Sequence, residues 1–115
     1  MPFRLSRRAL AAIAVAVLAT VDLAAAAASL AATADASVKV KDFDFHPMAI
    51  AVPVGATVIW KNLDAEPHTV TSTDGSFRSS ALDQGDSFSF KFTKPGVYTY
   101  LCTIHPRMTA SVTVR

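Results

Sequence analysis

The sequence predicts an all-β protein: a small Greek-key antiparallel β-sandwich of seven or eight strands, built from residues 37–115. Three observations carry this. Apolar residues alternate with the strand period rather than the helical one. Turn signals separate the alternating runs, and Pro53-Val54-Gly55, Asp74-Gly75-Ser76, Gln84-Gly85-Asp86 and Lys94-Pro95-Gly96 use all four glycines. No stretch after residue 36 is long enough to argue for a helix.

The elements follow in order. Residues 37–43 alternate, with Val38 and Val40 on one face. Residues 56–61 and 68–73 are rich in Val, Ile, Thr and Trp, as strands prefer. Residues 79–83 form either a helical turn or a short irregular strand. Residues 86–92 turn Phe88, Phe90 and Phe92 inward, and residues 108–115 put Val112 and Val114 together. In residues 97–102 alternation sets Tyr98, Tyr100 and Cys102 on one face. The thiol therefore leaves the end of a strand whose lower residues are core aromatics, so packing holds it in place. There is no internal repeat and no second domain.

Residues 1–36 read as a secretory signal peptide and its cleavage region. Arg4, Arg7 and Arg8 stand without an acid in the first eight residues. Residues 9–21 are small and apolar apart from Thr20, and an alanine-rich stretch leads to Ala36. The apolar run falls short of the roughly 20 residues that a membrane span needs. Ala32-Thr33-Ala34 and Ala34-Asp35-Ala36 place the mature start between Asp35 and Ser37, and Ser6-Arg7-Arg8 is a partial twin-arginine pattern. The expected location is the periplasm. The formal charge of +2 owes much to this segment, because residues 37–115 hold eight Lys plus Arg against seven Asp plus Glu. A near-neutral domain offers no basic stripe for nucleic acid and no amphipathic basic helix for a membrane surface.

Cys102 is the only cysteine, so no internal disulfide forms, and a free thiol in an exported protein needs something to occupy it. Cys102-Thr103-Ile104-His105-Pro106-Arg107-Met108 spells C-x2-H-x2-M, and Glu66-Pro67-His68-Thr69 supplies a second histidine upstream. A thiolate, two imidazoles and a weak thioether form the ligand set of a blue-copper electron-transfer site. These donors tolerate both copper oxidation states, so little moves when an electron arrives. His68, Cys102, His105 and Met108 are accordingly the expected ligands of one copper ion, with Pro67 and Pro106 stiffening the backbone beside the histidines. His46 reads as a loop residue, and Met48 is the soft atom by which that loop would approach the site. Structural zinc usually takes four Cys or His ligands, a dinuclear copper centre needs a second cysteine, and a Cys–His nucleophile needs an orienting third group. No HExxH, phosphate loop or nucleophile elbow is present.

From Val38 to Val114 the chain resembles the cupredoxins, and within them the plastocyanin and amicyanin branch. The matching stretches are Thr57-Val58-Ile59-Trp60-Lys61-Asn62, Glu66-Pro67-His68-Thr69-Val70, Gly85-Asp86-Ser87-Phe88-Ser89-Phe90 and residues 95–108. The short ligand loop is the amicyanin-like one. The resemblance implies the same four ligands and makes His105 the edge through which electrons pass. Two positions depart from the family pattern. Thr69 stands where Asn is common, and its hydroxyl is the expected replacement. Ile104 stands where Pro is frequent, and its N–H is expected to join that of Thr69 in donating to the Cys102 sulfur.

These readings give a soluble periplasmic one-electron carrier, monomeric and not an enzyme, since no coordination position stays open for substrate. Redox partners would dock briefly around His105, on Ala65, Pro67, Pro106 and Met48, flanked by Glu66 and Arg107. The competing reading is copper storage or delivery with the same ligands. A fold used only as a binding module is the third.

Overall fold

The computed structural model describes residues 35–115. In chain order the strands are β1 (Ala36–Lys41), β2 (Asp44–His46), β3 (Ala49–Val52), β4 (Thr57–Asn62), β5 (Thr71–Ser72), β6 (Ser87–Lys91), β7 (Gly96–Leu101) and β8 (Thr109–Val114). They form two four-stranded sheets, ordered β2-β1-β4-β6 and β3-β8-β7-β5. The expected all-β sandwich is the one the chain adopts. Four ladders are antiparallel, while β1–β4 and β3–β8 are parallel. The parallel pairs have a simple origin. After the β1–β2 hairpin the chain enters the second sheet as β3 and returns to the first as β4, so β1 and β4 are joined through the opposite sheet.

Alternation decides which face is buried. In β4, Val58, Trp60 and Asn62 are buried and Ile59 and Lys61 are exposed. Trp60 sits at the centre of the core, with the rings of Phe77, Phe88 and Tyr100 centred 5.6, 5.7 and 5.5 Å away. Phe45 packs on Tyr100 at 4.8 Å. Each such side chain, once buried, stabilises the fold by about 1.5–3 kcal/mol.

Two segments differ from the sequence expectation in extent. The strand expected over 68–73 narrows to β5, extended by isolated bridges from His68 to Leu82 and from Thr71 to Arg78. The 79–83 segment is therefore the irregular extended alternative and not a helical turn. β2 and β3 are additional strands, each too short to display a period in sequence.

This framework sets up one end of the sandwich. Tyr100 faces the core, and Cys102, two residues on, is buried on the same face. Leu101 pairs with Thr109 as β7 meets β8. Between them the chain makes a tight loop, closed by Cys102 N–H donating to the Met108 carbonyl (3.1 Å) and Met108 N–H donating to the His105 carbonyl (2.9 Å).

Candidate metal centre

Three predicted donors converge. The Cys102 Sγ lies 3.7 Å from His68 Nδ1 and 3.8 Å from His105 Nδ1, and the two nitrogens are 3.2 Å apart. Among the described residues this is the cluster of His, Cys and acidic side chains with metal-binding geometry. A triangle with sides of 3.2, 3.7 and 3.8 Å has a point in its plane about 2.1 Å from every corner, within the roughly 2.0–2.3 Å of metal–nitrogen and metal–thiolate bonds. His68, Cys102 and His105 would hold an ion between them. Met108, buried at the far end of the loop, is fixed beside them by the two backbone bonds that close it.

The protonation pattern fits the same conclusion. The Asp64 carboxylate accepts a hydrogen bond from His68 Nε2 at 2.8 Å. With Nε2–H committed to Asp64, the ring is oriented so that Nδ1 faces the sulfur. Burial alone would raise the Cys102 thiol, but the Thr69 N–H, the His68 ring, and the His105 N–H and ring outweigh it and bring it down to about 6. A thiolate with two imidazole nitrogens turned toward it is a donor set that suits a soft cation.

Each donor is positioned by identifiable bonds. Thr69 N–H donates to Cys102 Sγ at 3.3 Å. The Thr69 hydroxyl oxygen accepts from Thr103 N–H at 2.8 Å and bonds the Thr103 hydroxyl at 2.8 Å, so it does bridge the two ligand loops as the expected replacement for Asn. Asn62 is fully buried; its Nδ2 donates to the Glu66 and Leu82 carbonyls at 2.9 and 2.8 Å, and its Oδ1 accepts from Asp64 N–H at 2.9 Å. It ties down the loop that carries His68. The expected donation from Ile104 is not what the structure shows: the backbone N–H groups that lower the thiol are those of Thr69 and His105, and Ile104 is exposed. The backbone hydrogen bond to the sulfur comes from Thr69 on the facing loop, not from Ile104.

Sequence reasoning missed two residues altogether. Asp64 binds not only His68 but the N–H groups of Asp42 and Phe43, at 2.8 and 2.9 Å. Burial works against its charge, yet these donors hold its carboxyl below the ordinary value. Asp42 and Phe43 form the two-residue turn between β1 and β2, both at positive φ (55° and 58°). Such turns favour Asn-Gly, and a bulky L-residue there costs of order 1–2 kcal/mol. The Phe43 ring lies edge-on to both histidines, its centroid 5.3 Å from His68 and 4.9 Å from His105, at 88° and 89°. His105 is half-buried and borders an open groove of about 590 Å³ that Phe43, Met48, Ile104 and Pro106 also line. Met48 thus does bring its loop to the site, whereas the His46 ring turns away and bonds the Lys41 carbonyl at 3.0 Å.

A sequence profile described as a cupredoxin-like domain matches residues 10–114. The chain belongs to the cupredoxin family. Its similarity to an amicyanin of Paracoccus denitrificans is 40% identity over 68 residues, covering 55% of this chain and 52% of that protein. The cupredoxin fold is also seen in a purple cupredoxin from Nitrosopumilus maritimus (34% identical, TM-score 0.65, 70% of this chain and 100% of that one). A Cu(I) amicyanin variant matches at 28% identity and TM-score 0.67, covering 70% of this chain and 82% of that one. The chain spans about half the length of the curated relatives it matches, between 52% and 59%.

Proposed function

We propose that this cupredoxin is a periplasmic type 1 copper protein that passes single electrons between redox proteins, with His68, Cys102, His105 and Met108 as ligands. The observation that carries the reading is the convergence of two imidazole nitrogens and one thiol sulfur at metal-bonding distance from a common point. Bound copper would supply the one-electron couple. The protein's part is to keep the donors still: Asp64 fixes the His68 ring, Thr69 bridges the ligand loops, and the β7 core face holds the thiol. Rigid donors suited to both oxidation states keep reorganisation small. With Cys102, His68, His105 and the Met108 thioether as donors, a bound copper would have no vacant position for substrate, which supports a carrier rather than an enzyme.

Partner contact is assigned to the groove side. Met48, Ile104 and Phe43 are exposed there, with Pro106 and Arg107 alongside the half-buried His105. An apolar patch around one redox-active edge suits brief encounters of small area. The near-neutral charge of residues 37–115 argues against strong long-range steering of partners. Residues 1–34 lie outside the described residues; the signal pattern of residues 1–36 supports export to the periplasm, while β1 already begins at Ala36, at the edge of the expected cleavage region. No helix among the described residues is long and apolar enough to cross a membrane.

The test is the visible spectrum of the Cu(II)-loaded protein. An intense thiolate-to-copper band that vanishes in Cys102→Ser is the expected result, and its absence from the parent protein would end the proposal. A carrier should also keep its copper through repeated reduction and reoxidation. Ready surrender of Cu(I) to an acceptor protein would favour storage or delivery instead.

A further inference from the structure

The sequence places a phenylalanine where turn chemistry asks for glycine, and the structure uses it. Phe43 occupies the second central position of the β1–β2 turn at φ 58°. Its N–H and that of Asp42 both end on the Asp64 carboxylate, the group that also holds His68. One carboxylate thus anchors a metal-site imidazole and the turn that carries the aromatic ring above it. Backbone strain tolerated by a bulky side chain marks a position the surroundings over-determine. What the ring touches explains it: it stands perpendicular to both imidazoles, at 5.3 and 4.9 Å between centroids. These are edge-to-face distances at which aromatic pairs attract. His105 has no counterpart to Asp64 among the hydrogen bonds of the described residues, so the ring contact is its principal lateral restraint on this flank.

We propose that Phe43 is a positioning residue for the metal centre, its ring restricting the His68 and His105 imidazoles to their ligating orientations and covering this flank against competing ligands. The inference rests on the copper reading for its consequence, but the ring restraint itself belongs to the metal-free protein. Asp64 supplies the anchor that keeps the turn, and hence the ring, in place. The groove-facing side of Phe43 stays exposed, so restraint does not close the site.

Two glycine variants separate ring from backbone. Phe43→Gly and Asp42→Gly each relieve one positive φ and so are expected to fold. In copper-loaded protein challenged with the Cu(I) chelator bathocuproine disulfonate under reducing conditions, Phe43→Gly should release copper about tenfold faster, a factor equal to about 1.4 kcal/mol. Asp42→Gly and Phe43→Tyr should release it at the parent rate. In the metal-free protein, proton NMR should show the His68 and His105 ring protons shifted by the neighbouring aromatic ring, and that displacement should disappear in Phe43→Gly alone. Equal release from the two glycine variants, or imidazole resonances unchanged by loss of the ring, would overturn the proposal. If the parent protein takes up no copper with a thiolate band, the proposed function fails, and the NMR comparison still decides whether the ring stands against both imidazoles in the metal-free protein.

Discussion

Asn62 and Thr69 show how much of a metal centre is built by residues that never face the metal. Asn62 satisfies three backbone groups at once in a fully buried position. Asn62→Ala leaves the Glu66 and Leu82 carbonyls and the Asp64 N–H without this partner. A buried group left unsatisfied costs roughly 1–3 kcal/mol. With partial rescue by solvent near Glu66, urea denaturation should show a loss of about 3 kcal/mol. Unchanged stability would mean the loop is held some other way. Thr69 separates hydroxyl from shape in the same manner. Thr69→Val removes the acceptor for Thr103 N–H while keeping the branched outline, and should destabilise by about 1–2 kcal/mol. Thr69→Ser should remain near the parent value; a Ser variant as unstable as Val would assign the effect to packing. The convergent donors His68, Cys102 and His105 were legible at this scale because Cys, His and Met at short spacing have few joint explanations. Asp64 and Phe43 were not, because the bonds from Phe43 and Asp42 to Asp64 span 21 and 22 residues and leave no local pattern. The one available signal was negative: Asp42-Phe43 is poor turn chemistry between two strands.

At the scale of elements, the long alternating runs were readable and the short connecting pieces were not. β4, β6, β7 and β8 are five or six residues long and alternate more and less covered positions over most of their length, which a single sequence displays. β2 has three residues and β3 four, and β3 earns its place by parallel pairing with β8, a partner about sixty positions away. The parallel ladders depend on where the chain changes sheet, which local periodicity does not encode. Phe77 makes the same point from a loop. It belongs to no strand, yet it is 4% exposed and its ring meets Trp60, Phe90, Phe92 and Tyr100. The hairpin-like return from β5, closed by Ser72 N–H donating to the Phe77 carbonyl at 3.0 Å, exists to insert it. Phe77→Ala should therefore cost about 3–4 kcal/mol, as for a core aromatic in a strand. A loss under 1 kcal/mol in thermal or urea unfolding would show that the loop relaxes to fill the space.

For the whole molecule, two buried ionisable groups set opposite limits on stability in the metal-free state. The folded Cys102 thiol titrates at about 6 against an ordinary 9.0, so between those values the unfolded chain binds the proton that the native protein lacks. Stability then rises with pH through that window, is fully present above 9.0, and is lost as pH falls through 6. Tyr100 works in the other direction. Burial raises its phenol from 10.0 to about 12, Trp60 opposing only weakly, so the native state keeps a proton that the unfolded chain releases. Its contribution is whole below 10.0 and disappears as pH rises through about 12. Metal-free protein kept under reductant should therefore be most stable near pH 9–10, the interval between the two windows. Urea midpoints measured from pH 5 to 11.5 would trace that maximum. Cys102→Ser should flatten the rising limb, and Tyr100→Phe should flatten the falling one, each leaving the other limb in place. Copper binding, by holding the thiolate in the native state, should extend the rising limb below pH 6, because metal capture releases the same proton. A metal-free curve already flat between pH 6 and 9 would mean that the three convergent donors do not hold the sulfur as a thiolate, and the electrostatic account of the centre would fall with it.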